Sequence, residues 1–302
     1  MNAHRLEEAR LFLQELAEHP PWLPYEPTLL PLLFSATRDD STASISDLTA
    51  LIERSQNLTA RVLTIANSAV YALESTVTSL HRALAVLGFR EVRTLVIMVA
   101  AVSAIKGAKL PREFDASGLW RHHLRMACIA KALAAALRQG GDPKRTVAGE
   151  TLTWAPDEAY AAGLLHDIGK VFLAANRPEA WRAIDDLRLK NGSSFAEAED
   201  AYWGMDHAVI GSQVLHQWKL PRLLTDPINW HHAADLAPDF KAEAKLLCAA
   251  DYIAHQGVGD NGELPERAFA FIPPAADPLT LGLAVKDALA CSKFDALMGL
   301  AG

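Results

Sequence analysis

Apolar positions recur at helical spacing along nearly the whole chain, and the strict alternation of a half-buried strand is scarce. Leu6 to Leu16 makes an amphipathic opening helix, followed by a link whose Pro20, Pro21, Pro24 and Pro27 cannot continue it. Ser44 and Asp47 stand at capping-box spacing before a helix running to about Arg54. Asn57 is placed to cap the next, Leu58 to about Val70, and Ser79 another that ends near Gly88. From Arg90 to Ile105 the chain is apolar almost all round after Leu95, the pattern of a central buried helix. A break at Gly107 to Pro111 closes this first half.

The second half opens with a long helix, Asp115 to about Arg138, and a polar insert from Gln139 to Pro156. A helix carrying His166 and Asp167 follows, and Ser194 with Glu197 forms a capping box for the helix of Trp203. Asp206 caps a helix from His207 to Trp218, and Pro221 stands at the first position of one ending at His231-His232. Asp239 to His255 is the next helix. A Pro-rich loop then leads to a last one, Leu279 to Leu297. The expectation is an all-α bundle in two halves, residues 1–108 and 109–302.

Composition narrows the function classes. The net charge of −7 gives no general basic field for a nucleic-acid backbone, so nucleic acid is not the expected partner. The longest apolar run, Leu95 to Ile105, is too short to span a bilayer, and the charged N-terminus lacks a signal-peptide core. Cys128, Cys248 and Cys291 lie far apart in helical patterns and read as small hydrophobes in a reducing compartment. A cytoplasmic protein without a membrane partner is expected.

Against this apolar background a few polar residues are out of place. His166 and Asp167 interrupt the run Ala161 to Ile168, and burying either without a partner costs about 1–3 kcal/mol. On a helix advancing about 100° per residue, His122 shares a face with Met126, Ile129, Leu133 and Leu137, leaving His123 on the flank. His207 lies with Ile210, Gly211 and Val214 while His216 points away, and Asp251 lies with Ala244, Leu247 and Cys248. His231 and His232 end their helix together, and His255, one turn past Asp251, is ambiguous. Each alone reads as a satisfied core group. Together they come from separate helices, and a shared metal centre satisfies them all at once.

Assembled in order, these residues give the sequence a resemblance to the HD superfamily of metal-dependent phosphohydrolases, and most to its HDOD branch. Leu58 to Tyr71 and Ala83 to Gly88 look like the first part of the HDOD pattern. Leu119 to His122 and Gly163 to Lys170 look like the middle, and Asp206 to Gly211, Trp218 to Pro221 and His231-His232 like the end. The resemblance covers roughly residues 23–251. It implies an all-helical signalling or regulatory module. By likeness to the related HD-GYP proteins, it also implies one metal on His122, His166, Asp167 and Asp251. Asp167 would bridge to a second metal on His207, His231 and His232. Imidazole and carboxylate ligands without thiolate favour iron or manganese, with zinc, nickel or magnesium as alternatives.

Lys170, one turn past Asp167, is placed to meet a phosphate oxygen, which with Asp167 makes the candidate catalytic pair. No Gly-Tyr-Pro follows His231-His232, which argues against the cyclic di-GMP hydrolysis tied to that motif. The expected role is therefore regulatory, with a signalling protein or a nucleotide second messenger as partner. Hydrolysis of a nucleotide or cyclic dinucleotide is the alternative.

Overall fold

The computed structural model describes residues 3–19, 29–37, 41–67, 76–139, 146–147, 150–271 and 277–290. The first half contains α1 (Ala3–Glu18), α2 (Leu29–Ala36), α3 (Ile45–Glu53), α4 (Gln56–Ala66) and α5 (Leu80–Gly107). Next come α6 (Ala116–Gln139), α7 (Pro156–Leu165), α8 (Ile168–Asn176), α9 (Pro178–Asn191) and α10 (Phe195–Trp203). The chain continues through α11 (His207–Gln217), α12 (Arg222–Trp230), α13 (Lys241–Gln256) and α14 (Pro278–Leu289). Within the polar insert, β1 (Thr146–Val147) and β2 (Glu150–Thr151) pair antiparallel, with Val147 opposite Glu150. The expected all-α class is what the structure shows.

Local chemistry sets most boundaries. Ser44 and Asp47 form a reciprocal capping box on α3, as do Ser194 and Glu197 on α10. Asp206 accepts from the backbone of Ala208 and Val209 at the start of α11. The cap of α4 is Ser55 rather than Asn57: its hydroxyl accepts from the Leu58 backbone, one helical turn on. That helix stops at Ala66, where the Asn67 amide donates to the carbonyls of Leu63 and Val77; the rest of the expected extension to Val70 lies outside the described residues. Gly88, with φ +75°, kinks α5 where the sequence predicts one helix ending and a buried one beginning.

The main apolar core is continuous from Ala9 to Val285 and runs through both halves. Its floor is α6, buried on several sides because α7, α13 and α14 all pack on it. Helix α11 packs on α8 and α12, and α5 packs on α7. Helix α1 lies on α10 and α11, where Phe12 stacks on Trp203 and Arg5 sits over the Tyr202 ring. Trp120, Trp154, Trp203 and Trp218 are fully buried, and the Trp154 indole donates to the carbonyl of Leu223. Cys128 and Cys248 are half-buried; Cys291 lies outside the described residues. No described helix is long and apolar enough to cross a membrane.

Two buried polar struts tie the layers together. Arg93 on α5 donates to the hydroxyl and carbonyl of Thr37 after α2, and to Glu158 on α7 at 3.2 Å. Glu158 in turn accepts from the backbone of Ala155, capping α7. Glu243 on α13 accepts from the backbone and hydroxyl of Thr153 at 2.6 and 2.7 Å, which fixes the approach to α7. The helix that leads into His166 is therefore held at its start from both sides.

Candidate metal centre

Glycines let the helices carrying the polar residues approach closely. At Gly163 of α7 an added Cβ would lie 2.8 Å from the Ala127 backbone of α6. At Gly169 of α8 it would lie 1.9 Å from the His207 carbonyl of α11. The first crossing brings His166 beside His122, and the second brings Asp167 opposite His207. His166 and Asp167 are not inside a helix, as the sequence predicts, but at a junction. His166 ends α7, and Asp167 precedes α8 with φ −100° and ψ 10°. Asp167 spends no side-chain oxygen on capping α8, which leaves the carboxylate facing the cluster.

The structure brings together all seven residues proposed as ligands on sequence grounds. Asp167 stands at the middle and faces two ways. Its Oδ1 lies 2.7 Å from His207 Nε2, while its Oδ2 lies 3.4 Å from His166 Nε2 and 3.5 Å from His122 Nε2. Asp251 Oδ1 lies 3.1 Å from His122 Nε2 and 3.7 Å from His166 Nε2. On the other side His232 Nε2 is 2.9 Å from His207 Nε2, and the His231 ring meets His166 edge-on and His232 at a tilt. One candidate ligand group contains Asp167, His207, His231 and His232, a second contains His122, His166 and Asp167, and a third contains His122, Asp251 and His255. His166, Asp167, His207 and His231 are buried, whereas His232 is exposed, so the cluster is closed behind and open on one side.

Three of the buried imidazoles are oriented by their outer nitrogens. His166 Nδ1 lies 2.8 Å from the Gly163 carbonyl, His231 Nδ1 lies 2.7 Å from the Ile228 carbonyl, and His207 Nδ1 lies 2.5 Å from Glu199. A carbonyl oxygen can only accept, so Nδ1 of His166 and His231 carries the proton, and in the neutral ring the Nε2 lone pair faces inward. His122 and His166 turn Nε2 on Nε2 at 3.1 Å, a contact that needs a proton or another cation between the two nitrogens. His231 Nε2, Asp167 Oδ1 and Asp251 Oδ1 are buried with no properly angled hydrogen bond. Inward lone pairs, outer nitrogens tied to acceptors and orphaned carboxylate oxygens are what a bound divalent cation would satisfy. The residues fit a metal.

Without an ion, protons are drawn into the cluster. Burial presses the His166 and His207 rings down, but the neighbouring carboxylates, Asp167 on the first and Glu199 on the second, outweigh it and raise them to about 9 and about 10. Burial lowers His231 to about 3, with the charged neighbours His166 and His207 adding to the effect. Burial also lowers His122, His123 and His232. Asp167 and Asp251 are held well below the ordinary carboxylate range despite their burial, Asp167 by His166, Lys170 and His207 and Asp251 by hydrogen bonds from His122, His166 and His255.

Four residues around the cluster differ from expectation or escaped it. His123 is not on the flank: it is fully buried against His166, with neither ring nitrogen hydrogen-bonded. The reason is that α6 is enclosed on several sides, so its buried arc is wider than a single stripe. His255 does join the cluster edge, 3.2 Å from Asp251 Oδ1, with its side chain 55 % exposed. Lys170 donates to Asp167 Oδ2 at 2.5 Å, so its charge is spent on the carboxylate and its tip is only partly open to solvent. Glu199, fully buried on α10, is not among the sequence candidates; its signal is a carboxylate one helical turn before the buried Trp203 and on the same face.

Comparison with known proteins places this arrangement. An HDOD protein of unknown function from Geobacter sulfurreducens has a crystal structure 26% identical in sequence, with a TM-score of 0.72 over 96% of this chain and 98% of that one. A candidate phosphohydrolase from Shewanella amazonensis SB2B is 24% identical, with a TM-score of 0.69 over 95% and 96% of the two chains; this likeness is one of fold. An uncharacterized protein of Treponema pallidum (strain Nichols) is 24% identical over 65% of this chain, which spans about a third (35%) of that relative's length. The HDOD domain family matches residues 23–234, which hold every cluster residue described above except Asp251 and His255. With that match over most of its length, the chain belongs to the HDOD family.

Proposed function

We propose that this protein is a regulatory HDOD module that binds two divalent metal ions in its His/Asp cluster. It would act by engaging a signalling protein or a nucleotide second messenger. The observation that carries the metal reading is the set of inward Nε2 atoms and orphaned carboxylate oxygens, with the rings of His166, His207 and His231 held from behind by acceptors. One ion would be held by His122, His166, Asp167 and Asp251, the other by His207, His231 and His232, with Asp167 between them. The absence of thiolate favours iron or manganese.

A regulatory role is preferred because the groups that would hold a substrate are few. Lys170, the one cation the sequence nominates for a phosphate, is already engaged by Asp167. The first half of the chain contributes no residue to the cluster among those described, and offers helical surface for a partner.

Phosphodiester hydrolysis is the second reading, favoured by the open side of the cluster at His232 and His255. Bound there, the ions would supply Lewis acidity toward a phosphoryl oxygen. The chain's own part would be to hold the phosphate near Lys170 and keep the rear of the site dry with His166 and His231. The two readings part on turnover. Iron- or manganese-loaded protein is incubated with cyclic dinucleotides, mononucleotides and bis-(p-nitrophenyl) phosphate. The regulatory reading expects rates well under about 1 per second. Turnover above that rate, abolished by Asp167→Ala, would replace it with the hydrolase.

A further inference from the structure

Glu199 is a fully buried carboxylate outside the candidate ligand set, and its partner is a histidine of the cluster. It sits on α10, one element before the helix that carries His207, and the left-handed Gly204 and the cap Asp206 turn the chain between the two. Its Oε2 accepts twice from the same residue, from the His207 backbone at 3.0 Å and from His207 Nδ1 at 2.5 Å. A carboxylate that grips both the main chain and the ring of one residue fixes where that ring points. The opposite nitrogen, Nε2, is thereby set 2.7 Å from Asp167 Oδ1 and 2.9 Å from His232 Nε2, among the other inward-facing donors.

The grip is also electrostatic. A buried carboxylate without a compensating charge is costly, and Glu199 has its other oxygen unpartnered. Its negative charge lies directly behind the imidazole, where it makes Nε2 a better donor and offsets the charge of an incoming cation. Burial and the short contact exclude a role at the solvent-facing mouth.

We propose that Glu199 is a positioning residue that orients His207, fixes its tautomer and strengthens its hold on a divalent ion. The inference rests on the metal-binding reading given above and goes beyond its ligand set. The bland alternative is that Glu199 only caps the first turn of α11, a role that its backbone contact alone would fill.

The test compares native protein with Glu199→Gln and Glu199→Asp, each titrated with manganese against a competing chelator. Melting of the chelated proteins is measured alongside. Glu199→Gln keeps shape and can still accept from the His207 backbone, so a capping role predicts unchanged metal affinity. The positioning role predicts that one ion is bound about 10- to 100-fold more weakly while the other is retained. It also predicts that Glu199→Asp, which keeps the charge, recovers part of the loss. Native affinity for both ions in a folded Glu199→Gln would overturn this inference alone. Native protein that binds no manganese would overturn it together with the metal reading. If Glu199→Gln does not fold, native zinc-loaded protein gives the answer by nitrogen-15 NMR. A His207 Nδ1 proton that is downfield and slow to exchange is expected, and one exchanging freely with water would refute the positioning role.

Discussion

His166 and His207 show how far a single residue's environment governs this site. In the metal-free protein their pKa values of about 9 and about 10 exceed the ordinary value of 6.5. Their contribution to stability is therefore present in full below pH 6.5 and lost as pH rises through 9 and 10. His122, His123, His231 and His232 are shifted the other way, so the unfolded chain takes up protons that the fold refuses as pH falls below 6.5. Chelated protein should accordingly melt highest near pH 6.5, losing stability as pH falls toward 3 and progressively as it rises through 9 and 10. Metal displaces the protons of His166 and His207, so loaded protein should keep its melting temperature on the alkaline side. Melting curves across pH, with and without chelator, check this. A chelated protein that grows steadily more stable up to pH 10 would contradict the assigned charges.

The elements are what carry those residues to one place, and the glycines at their crossings make the closest demands. A Cβ at Gly169 would lie 1.9 Å from the His207 carbonyl, whereas one at Gly211 would lie 3.2 Å from the Gly169 backbone. Backbone cannot yield as a side-chain tip can. Gly169→Ala should therefore destabilise by about 1–3 kcal/mol or more, and Gly211→Ala by clearly less. Urea denaturation of both variants measures the order; equal stabilities would show that α8 and α11 are free to slide apart.

Legibility in the sequence follows the same division. Caps at Ser44, Ser194 and Asp206 are local chemistry and could be read directly. So could the facing of His207 with Ile210 and Val214, because one helix stripe sets it. Ser55 and Asn57 are both good cap residues, and only the folded turn decides between them. Burial of His123 and the grip of Glu199 on His207 depend on which elements surround α6 and α11, and no single-helix period contains that. Helices α2 and α9 were not anticipated either. The first is a short apolar piece closing a Pro-rich link, and the second carries charges over most of its surface.

At the scale of the whole molecule the two halves share one continuous core and a buried ion pair. Arg93 reaches from α5 to Thr37 and to the Glu158 cap of α7, the helix that ends at His166. Removing it leaves the Thr37 carbonyl and Glu158 without their cation. Arg93→Ala should cost about 2–3 kcal/mol, less than the loss of a fully buried pair because Glu158 retains some solvent. Denaturant unfolding measures the cost, and a loss under about 0.5 kcal/mol, the size of an ordinary surface substitution, would show that the strut is idle.

The central claim is that helices from across the second half meet in order to hold metal. Elemental mass spectrometry of gently purified protein, beside Asp167→Ala, tests it most directly. One oxygen of Asp167 faces His207 and the other faces His166 and His122, so native protein should carry about two divalent transition-metal ions per chain and Asp167→Ala should lose both or nearly so. Because a ligand of the native state alone stabilises it by about 2.7 kcal/mol at one hundred times Kd, a chelator should lower the melting temperature of the native protein and leave Asp167→Ala unmoved. Native protein holding less than about 0.2 equivalents, and taking up neither iron nor manganese when they are supplied, would contradict the account.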